Sequence, residues 1–365
     1  MFRNYSHNSN DPSNNHSFEI HNIDLSVVNG IRRIILTDIP IPGVIGESLE
    51  TEEPTVNILK NTGALHNEII THRIGLIPIC LTEDEIEGYE DGSIQLELNV
   101  KNESYKIENV TTQQITATRN DKPITAKELA TLFPLNKVSK DHILITRLRT
   151  GEHLHFKASV VKRTGRDNAS FNPVSLCNFS FIQDPNESSK HQNVLDKERA
   201  YYRNKYGDPI AFKFEIEHIN INIGPKYLIP KSLDIIINKL INMVNELVNI
   251  ENSHVLKINQ FQDIDNTYEF FIDNEDDTLG NILQSYIHNR CIRNEQKLDI
   301  DPQCLYVGYI CPHPLKSLMI LRITLEEETN KNKFVSFLET ICKLLIEDLS
   351  NIKTEWNKFA NASKM

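Results

Sequence analysis

Three groups of residues could carry chemistry: the pair Arg32-Arg33, the run Glu275-Asp276-Asp277, and six cysteines. Cys80, Cys177, Cys291, Cys304, Cys311 and Cys342 form no CxxC pair, so neither a zinc ribbon nor a thiol redox site is written here. Scattered single cysteines of this kind serve as small core residues. The acidic run lacks the alternation and closing glutamate of a calcium loop, so compensation of a helix dipole accounts for it better. His21, His142, His153 and His155 have no cysteine or acidic partner at ligand spacing, and His313 lies between two prolines as a turn residue. There is no phosphate-binding Gly-rich loop, nucleophile elbow or committed carboxylate pair. An enzyme using the loose cysteines or histidines of the middle region is an alternative without a motif. The arginine pair remains, and most such pairs form an ordinary solvated helix flank, with stems on apolar surface and guanidiniums facing outward.

The elements that must hold these residues follow from periodicity. Ser26 to Ile39 reads as a helix with Val27, Ile31, Ile34 and Ile35 on one stripe, capped by Asp24 or Ser26 and stopped by Pro40 and Pro42. Arg32 and Arg33 fall on its flank. From Val44 to about Asp208 short alternating runs such as Ser93 to Leu98 read as strands. Within that stretch, Asp184 to Glu198 is a flexible acidic loop or a short surface helix. A strand over Ala211 to Ile219 leads to a turn punctuated by Pro225 and Pro230. A long helix follows, bearing Leu233, Ile236, Ile237, Leu240, Ile241, Val244, Leu247 and Val248. The third part begins with a strand, Tyr268 to Ile272. Thr278 is the expected N-cap of the next helix, which carries Leu279, Ile282, Leu283, Tyr286 and Ile287. Strands Cys304 to Ile310 and Ser317 to Leu325 follow, and an amphipathic helix from Phe334 to Phe359 closes the chain.

Composition bounds the function. The 365 residues fit two or three domains, and the formal charge of −11 disfavours an autonomous binder of nucleic-acid phosphates. No stretch is apolar enough to span a membrane. The segment Met1 to Ser17 lacks the apolar core of a signal peptide and reads as a disordered arm, so the chain is expected to stay where it is made. The two ends of the sequence correspond: each has a short helix, then strands, then a long amphipathic helix. Two such closing helices are expected to pack on each other.

Specific stretches resemble a known family. Ser26-Val27-Val28-Asn29-Gly30-Ile31-Arg32-Arg33-Ile34-Ile35 with Ile39-Pro40 resembles the first helix of the bacterial RNA polymerase alpha subunit, the archaeal D subunit and the third subunit of polymerase II. Asn67 to Ile79 is similar to that family's second signature, and Gly151 to Val160 to the stretch before its return to the dimerisation domain. Asn274 to Leu283 and Val307 to Leu315 resemble the hallmarks of the archaeal L subunit and the eleventh polymerase II subunit. The motifs occur in the family's order and span about residues 18–360.

The resemblance implies an α+β fold: two alpha-type dimerisation units in a pseudo-twofold pair, with a β-rich insertion in the first. The expected parts are an arm at 1–17, one unit at 18–45 plus 209–250, an insertion at 46–208, a linker at 251–261, and a second unit at 262–365. It implies a non-catalytic scaffold in which both members of an assembly heterodimer are fused. Asn29, Arg32, Arg33, Glu68, His72 and Arg73 would face other subunits, although a local role for His72 and Arg73 is equally open. Glu68 would pair with a nearby arginine, and Gly75 would answer a backbone requirement. Leu233, Ile237, Leu240, Val244, Leu279, Ile282, Leu283, Phe334, Leu338, Ile341 and Leu345 would form the intramolecular interface. The implied partners are the two largest polymerase subunits and a small subunit of the tenth-subunit type, with no cofactor, no sequence-specific nucleic-acid contact and no membrane. The magnesium-binding DxDGD-type triad of a catalytic polymerase subunit is absent. Relatives of the family often carry a zinc or iron–sulfur cysteine cluster in the β-rich domain. Here only Cys80 and Cys177 lie in it, so no metal is expected. Fusion resembles what asfarvirus-type large DNA viruses encode, which implies infected-cell cytoplasm and virions. The competing reading is a freestanding adapter or inhibitor that captures a host polymerase.

Overall fold

The computed structural model describes residues 1–7, 14–48, 52–293, 303–326 and 330–363. The chain opens with strands β1 (Phe2–His7) and β2 (Asn15–His21) and helix α1 (Leu25–Thr37). A middle region runs through β3 (Ile41–Gly43), β4 (Val56–Asn61), α2 (Asn67–Gly75), α3 (Glu83–Glu87), β5 (Ile94–Lys101) and β6 (Glu108–Thr111). It continues with β7 (Thr116–Arg119), β8 (Lys122–Pro123), α4 (Ala126–Leu132), β9 (Leu144–Leu148), β10 (His153–Ser159) and β11 (Val161–Arg163). Next come β12 (Val174–Phe181), the short helices α5 (Pro185–Ser188) and α6 (Val194–Glu198), β13 (Ala211–His218) and α7 (Pro225–Val248). The last part comprises β14 (Leu256–Gln260), β15 (Thr267–Asp273), α8 (Asp277–Ile287), β16 (Cys304–Ile310), β17 (Leu318–Leu325) and α9 (Lys331–Ala362).

Two antiparallel four-stranded sheets anchor the fold, in the orders β1-β2-β13-β12 and β14-β15-β17-β16. Chain order and sheet order agree in both: hairpin, short helix, hairpin, long helix. Each sheet alternates in burial, so one face is apolar and needs a cover. In β13, Phe212, Phe214 and Ile216 are buried, and in β17 so are Met319, Leu321, Ile323 and Leu325. Helices α1 and α7 pack together, α1 packs on α8, and α7 packs along α9. A single apolar core results, running from Phe18 and Phe214 through Ile31, Leu233 and Leu240 to Ile282, Phe334, Leu338, Ile341 and Leu345. Between α1 and β12 the chain builds a separate five-stranded sheet, β4-β10-β5-β7-β8, and the pairs β6-β9 and β3-β11.

The structure corrects several expectations. The segment read as a disordered arm contributes strands: β1 pairs with β2, with Phe2 opposite Ile20. The ring of Phe2 lies 5.0 Å from Trp356 and 6.0 Å from Phe359, so one aromatic side chain anchors a polar strand to α9. Residues 8–13 of that arm lie outside the described residues. The linker expected at 251–261 contains β14, paired with β15 from Leu256↔Ile272 to Gln260↔Tyr268. Its weak alternation hid it, as did the polar residues of an open edge. The expected insertion at 46–208 includes β12, which pairs with β13 along its length, so the return to the first sheet comes before residue 174. Helix α7 begins at Pro225 and contains Pro230. Pro225 sits at the first helical position, where a missing N–H costs nothing, whereas Pro230 removes one bond to the preceding turn. The packing of Leu228, Ile229 and Leu233, all fully buried, outweighs that loss. The stretch Asp184 to Glu198 forms two short helices, α5 and α6.

Phe2→Ala should destabilise the chain by on the order of 2 kcal/mol in urea unfolding, less than a mid-core phenylalanine because a terminal strand can relax. An unchanged midpoint would restore the disordered-arm reading.

Candidate functional site

The two stretches singled out by their residues, Ser26 to Ile35 and Asn274 to Leu283, lie against each other as α1 and α8. Asp24 caps α1 by accepting from the Ser26 N–H at 2.8 Å. The same carboxylate accepts from the Ser285 hydroxyl at 3.0 Å and from the Asn289 amide at 2.7 Å. At the opposite end of α1, Arg33 Nε donates to the Thr278 hydroxyl at 2.8 Å, and its guanidinium lies 3.9 Å from Asp276. These contacts make the helices antiparallel and tie the pair at both ends. Between them, a Cβ on Gly30 would come within 2.7 Å of Ile282 Cδ1, so glycine sets how closely the helices approach. The second helix pair is antiparallel too. Met243 meets Cys342 with sulfurs 3.9 Å apart, and Lys353 donates to Asp234 at 2.6 Å.

Asp276, not the expected Thr278, is the N-cap of α8: its carboxylate accepts from the Thr278 N–H at 2.9 Å. Thr278 is the second helical residue, which frees its hydroxyl for Arg33. The acidic run thus does more than offset the helix dipole. Arg166, from the loop after β11, donates to Asp38 at 2.8 Å and to Asp276 at 3.0 Å. Lys239 of α7 donates to Glu275 at 3.0 Å and lies 3.7 Å from Asp38. Three cations and three carboxylates therefore join α1, the middle region, α7 and α8. Burial pushes the Glu275 carboxyl up despite Lys239. Burial would also raise Asp276, but Thr278 and Arg166 hold it below the usual aspartate range. Asp24 was expected only as a cap, and Arg166, Lys239, Asp38, Ser285 and Asn289 escaped the sequence reading, because nothing local marks a polar group whose partner is far along the chain.

The six candidate docking residues fall in two places. Arg32 Nε donates to Asn29 at 3.0 Å, and both are half-buried on α1, whereas Arg33 is engaged with α8. On α2, Arg73 donates to the carbonyls of Ile145 and Leu144 at 2.8 and 2.7 Å, which fastens the helix to β9. His72 is exposed, 3.7 Å from Glu47. Glu68 is exposed and makes no ion pair among the described residues, so its expected arginine is not found there. A Cβ on Gly75 would lie 3.1 Å from the Gly46 nitrogen, the close backbone approach that excludes a side chain. Leu233, Leu240, Leu279, Ile282, Leu283, Phe334, Leu338, Ile341 and Leu345 are buried in the core, with Ile237 and Val244 partly buried against it.

Among the described residues no group of three or more His, Cys, Asp or Glu side chains is placed to hold a metal ion. All six thiols are free, and burial pushes Cys177, Cys304 and Cys342 up to about 12 and Cys291 and Cys311 up to about 11. Among the described residues no helix is long and apolar enough to cross a membrane.

Residues 267–355 match the RNA polymerase Rpb3/Rpb11 dimerisation domain. That stretch holds β15, α8, β16, β17 and most of α9. The chain is 29% identical over 195 residues to the human DNA-directed RNA polymerases I and III subunit RPAC1, covering 47% of this chain and 52% of that one. It is 27% identical over 180 residues to the RNA polymerase subunit Rpo3 of Methanosphaera stadtmanae, covering 49% and 62%. With the polymerase II subunit rpb3 of Dictyostelium discoideum it shares 26% over 174 residues, covering 45% and 53%. The chain thus spans about half the length of the first of these relatives. It is similar to alpha-like polymerase subunits of the Rpb3/Rpb11 type.

Gly30→Leu should overpack the α1–α8 contact and cost about 1–3 kcal/mol in urea unfolding. A double-mutant cycle of Arg33→Ala with Thr278→Val should give a coupling of about 1 kcal/mol, and zero coupling would remove the bond from the account. Because Asp276 is depressed in the folded chain, its stabilisation is complete above about pH 4, the ordinary aspartate range, and is lost as pH falls through the folded value. Asp276→Asn should therefore flatten the acid limb of the stability profile; an unaltered limb would assign that limb to other carboxylates.

Proposed function

We propose that this chain is a non-catalytic assembly subunit of a DNA-directed RNA polymerase, with both members of the assembly pair fused in one polypeptide. One observation carries the reading: two units of the same strand order meet through antiparallel α1–α8 and α7–α9 contacts, and the two family-like helices face each other across the first. A hairpin sheet with a short and a long helix leaves an apolar face uncovered, and a second such unit related by a pseudo-twofold axis covers it. Fusing the units makes that pairing intramolecular, which raises effective concentration and fixes a one-to-one ratio. The match of residues 267–355 to the Rpb3/Rpb11 dimerisation domain supports the identity of the second unit. The middle sheet is then an insertion in the first unit, carried between α1 and β12.

In this reading the folded pair docks the two largest subunits, with a small tenth-type subunit alongside, and nucleotidyl transfer belongs to those partners. Half-buried Arg32 with Asn29, and exposed His72 with Glu68, are the candidate residues that keep polar surface for that contact. Arg33 acts mainly within the chain. Charged pairs at such a surface set register and exclude wrong partners more than they add affinity.

Affinity purification of the tagged chain from its own expression context should recover two large polymerase subunits at equal stoichiometry, with RNA synthesis in the eluate. Recovery alone, or with a foreign polymerase only, would favour an adapter instead. Arg32→Glu removes the bond of a half-buried side chain to Asn29 and should lower the melting temperature by about 2–4 °C without unfolding the chain, while reducing recovery of the large subunits several-fold. Normal recovery would remove Arg32 from the docking surface.

A further inference from the structure

The loop between β5 and β6 is built with unusual care for a surface turn. Asn102, fully buried, donates through its amide to the carbonyls of Lys106 at 2.7 Å and Leu148 at 2.9 Å. Its side-chain oxygen accepts from the Ser104 N–H and hydroxyl, both at 2.8 Å. Its backbone is bonded on both sides to the β9–β10 turn, through Gly151 at 2.7 Å and Glu152 at 2.9 Å. The Thr150 hydroxyl donates to the Ser104 carbonyl at 2.7 Å. All of this fixes a loop whose tip is Tyr105, 99% exposed, followed by Ile107 at 65%. A fixed aromatic loses little entropy when it enters a pocket, so such a loop suits binding better than a mobile one.

The charges around the tip are unbalanced in the opposite sense to the chain. Lys101 pairs with Glu103 at 3.0 Å, and Glu152 accepts from the Arg149 N–H at 2.7 Å. Lys106, Arg147 and Arg149 are exposed, and their side chains make no ion pair among the described residues, against two half-buried carboxylates, Glu108 on β6 and Glu152, that make none there either. The β6–β9 register sets Asn109 opposite Arg147 and Glu108 opposite Leu148, which brings these cations beside the loop. The tip also lies away from the α1–α8 seam. Strands β5 and β10 pair from Gln95↔Ser159 at the end nearest β11 to Lys101↔His153 at the tip. Seven residues at about 3.3 Å each put Tyr105 roughly 20 Å farther out.

We infer that the β5–β6 loop is a preformed docking element whose Tyr105 enters an apolar pocket rimmed by carboxylates on another protein, with Lys106, Arg147 and Arg149 facing that rim. A protein fits better than a nucleic acid. The net charge of −11, with three exposed cations against two carboxylates at the tip, suits a few carboxylates on a protein rather than a polyphosphate backbone. Tyr105, Lys106, Arg147 and Arg149 are not among the residues proposed to dock the large subunits, although α2, which carries His72 and Glu68, is fastened to β9 beside them, and substitutions at either set can be read separately.

The test places the photo-crosslinking residue p-benzoylphenylalanine at position 105 of the full chain, in its own expression context. The expected product is one dominant protein adduct, mapped beside Asp or Glu residues and falling several-fold between 0.1 and 0.5 M salt. It should be lost in the background Lys106→Glu with Arg149→Glu and regained when the mapped carboxylates are changed to lysine. Tyr105→Ala should leave the melting temperature unchanged, which separates docking from folding. Adducts to nucleic acid only, no adduct, or one indifferent to salt and charge reversal would overturn the inference. Recovery of large polymerase subunits from the same cells reports the assembly reading independently.

Discussion

At Gly30 the helices α1 and α8 come so close that one added carbon would collide with Ile282. Everything else in the two four-stranded sheets depends on that approach. Each sheet has one apolar face, and its own short and long helices cover only part of it. Bringing α1 onto α8 and α7 onto α9 turns two incomplete cores into a continuous one that includes Phe18, Ile31, Leu240, Ile282 and Leu345. Apolar burial supplies the driving force but no direction. Direction comes from the polar ends of the seam, where Asp24 reaches Ser285 and Asn289, and Arg33 reaches Thr278.

The charged cluster beside the seam works as a register device. Asp38, Glu275 and Asp276 sit with Arg166, Lys239 and Arg33 where four parts of the chain meet. Partly buried ion pairs contribute little net stability against apolar replacements, yet removing one partner is costly. A one-turn slip of α8 along α1 would leave these charges unpaired, so the cluster opposes wrong alignments more than it strengthens the right one. Arg166 carries this constraint into the middle region. The five-stranded sheet is thereby oriented relative to the helix seam by two carboxylates as well as by the β3–β11 pair.

Exposed features sort by whether the fold accounts for them. Arg33, expected to face outward, and Arg73, for which an outward contact and a local role were equally open, bond within the chain, on α8 and β9 respectively. Arg32 is half-buried, and His72 and Glu68 are exposed. The side chains of Lys106, Arg147 and Arg149 beside Tyr105 make no ion pair among the described residues, although a buried asparagine holds the loop in place.

Local pattern made the strongest elements legible: the apolar stripes of α1, α7, α8 and α9, and the alternation of β13, β16 and β17. The repeated short-helix, long-helix arrangement was legible too, because periodicity is a property of neighbouring residues. Strands β1 and β14 were not. Edge strands carry polar residues on purpose, so their pattern imitates a disordered arm or a linker until a partner strand is present. Pro230 looked like a boundary because its local cost is certain, whereas the packing that outweighs it is not local. The roles of Arg33, Arg166 and Lys239 were decided only in three dimensions. Sequence supplies the charge of a side chain, but its partner is whichever opposite charge the folded chain places within reach. For these residues that partner lies in a distant segment.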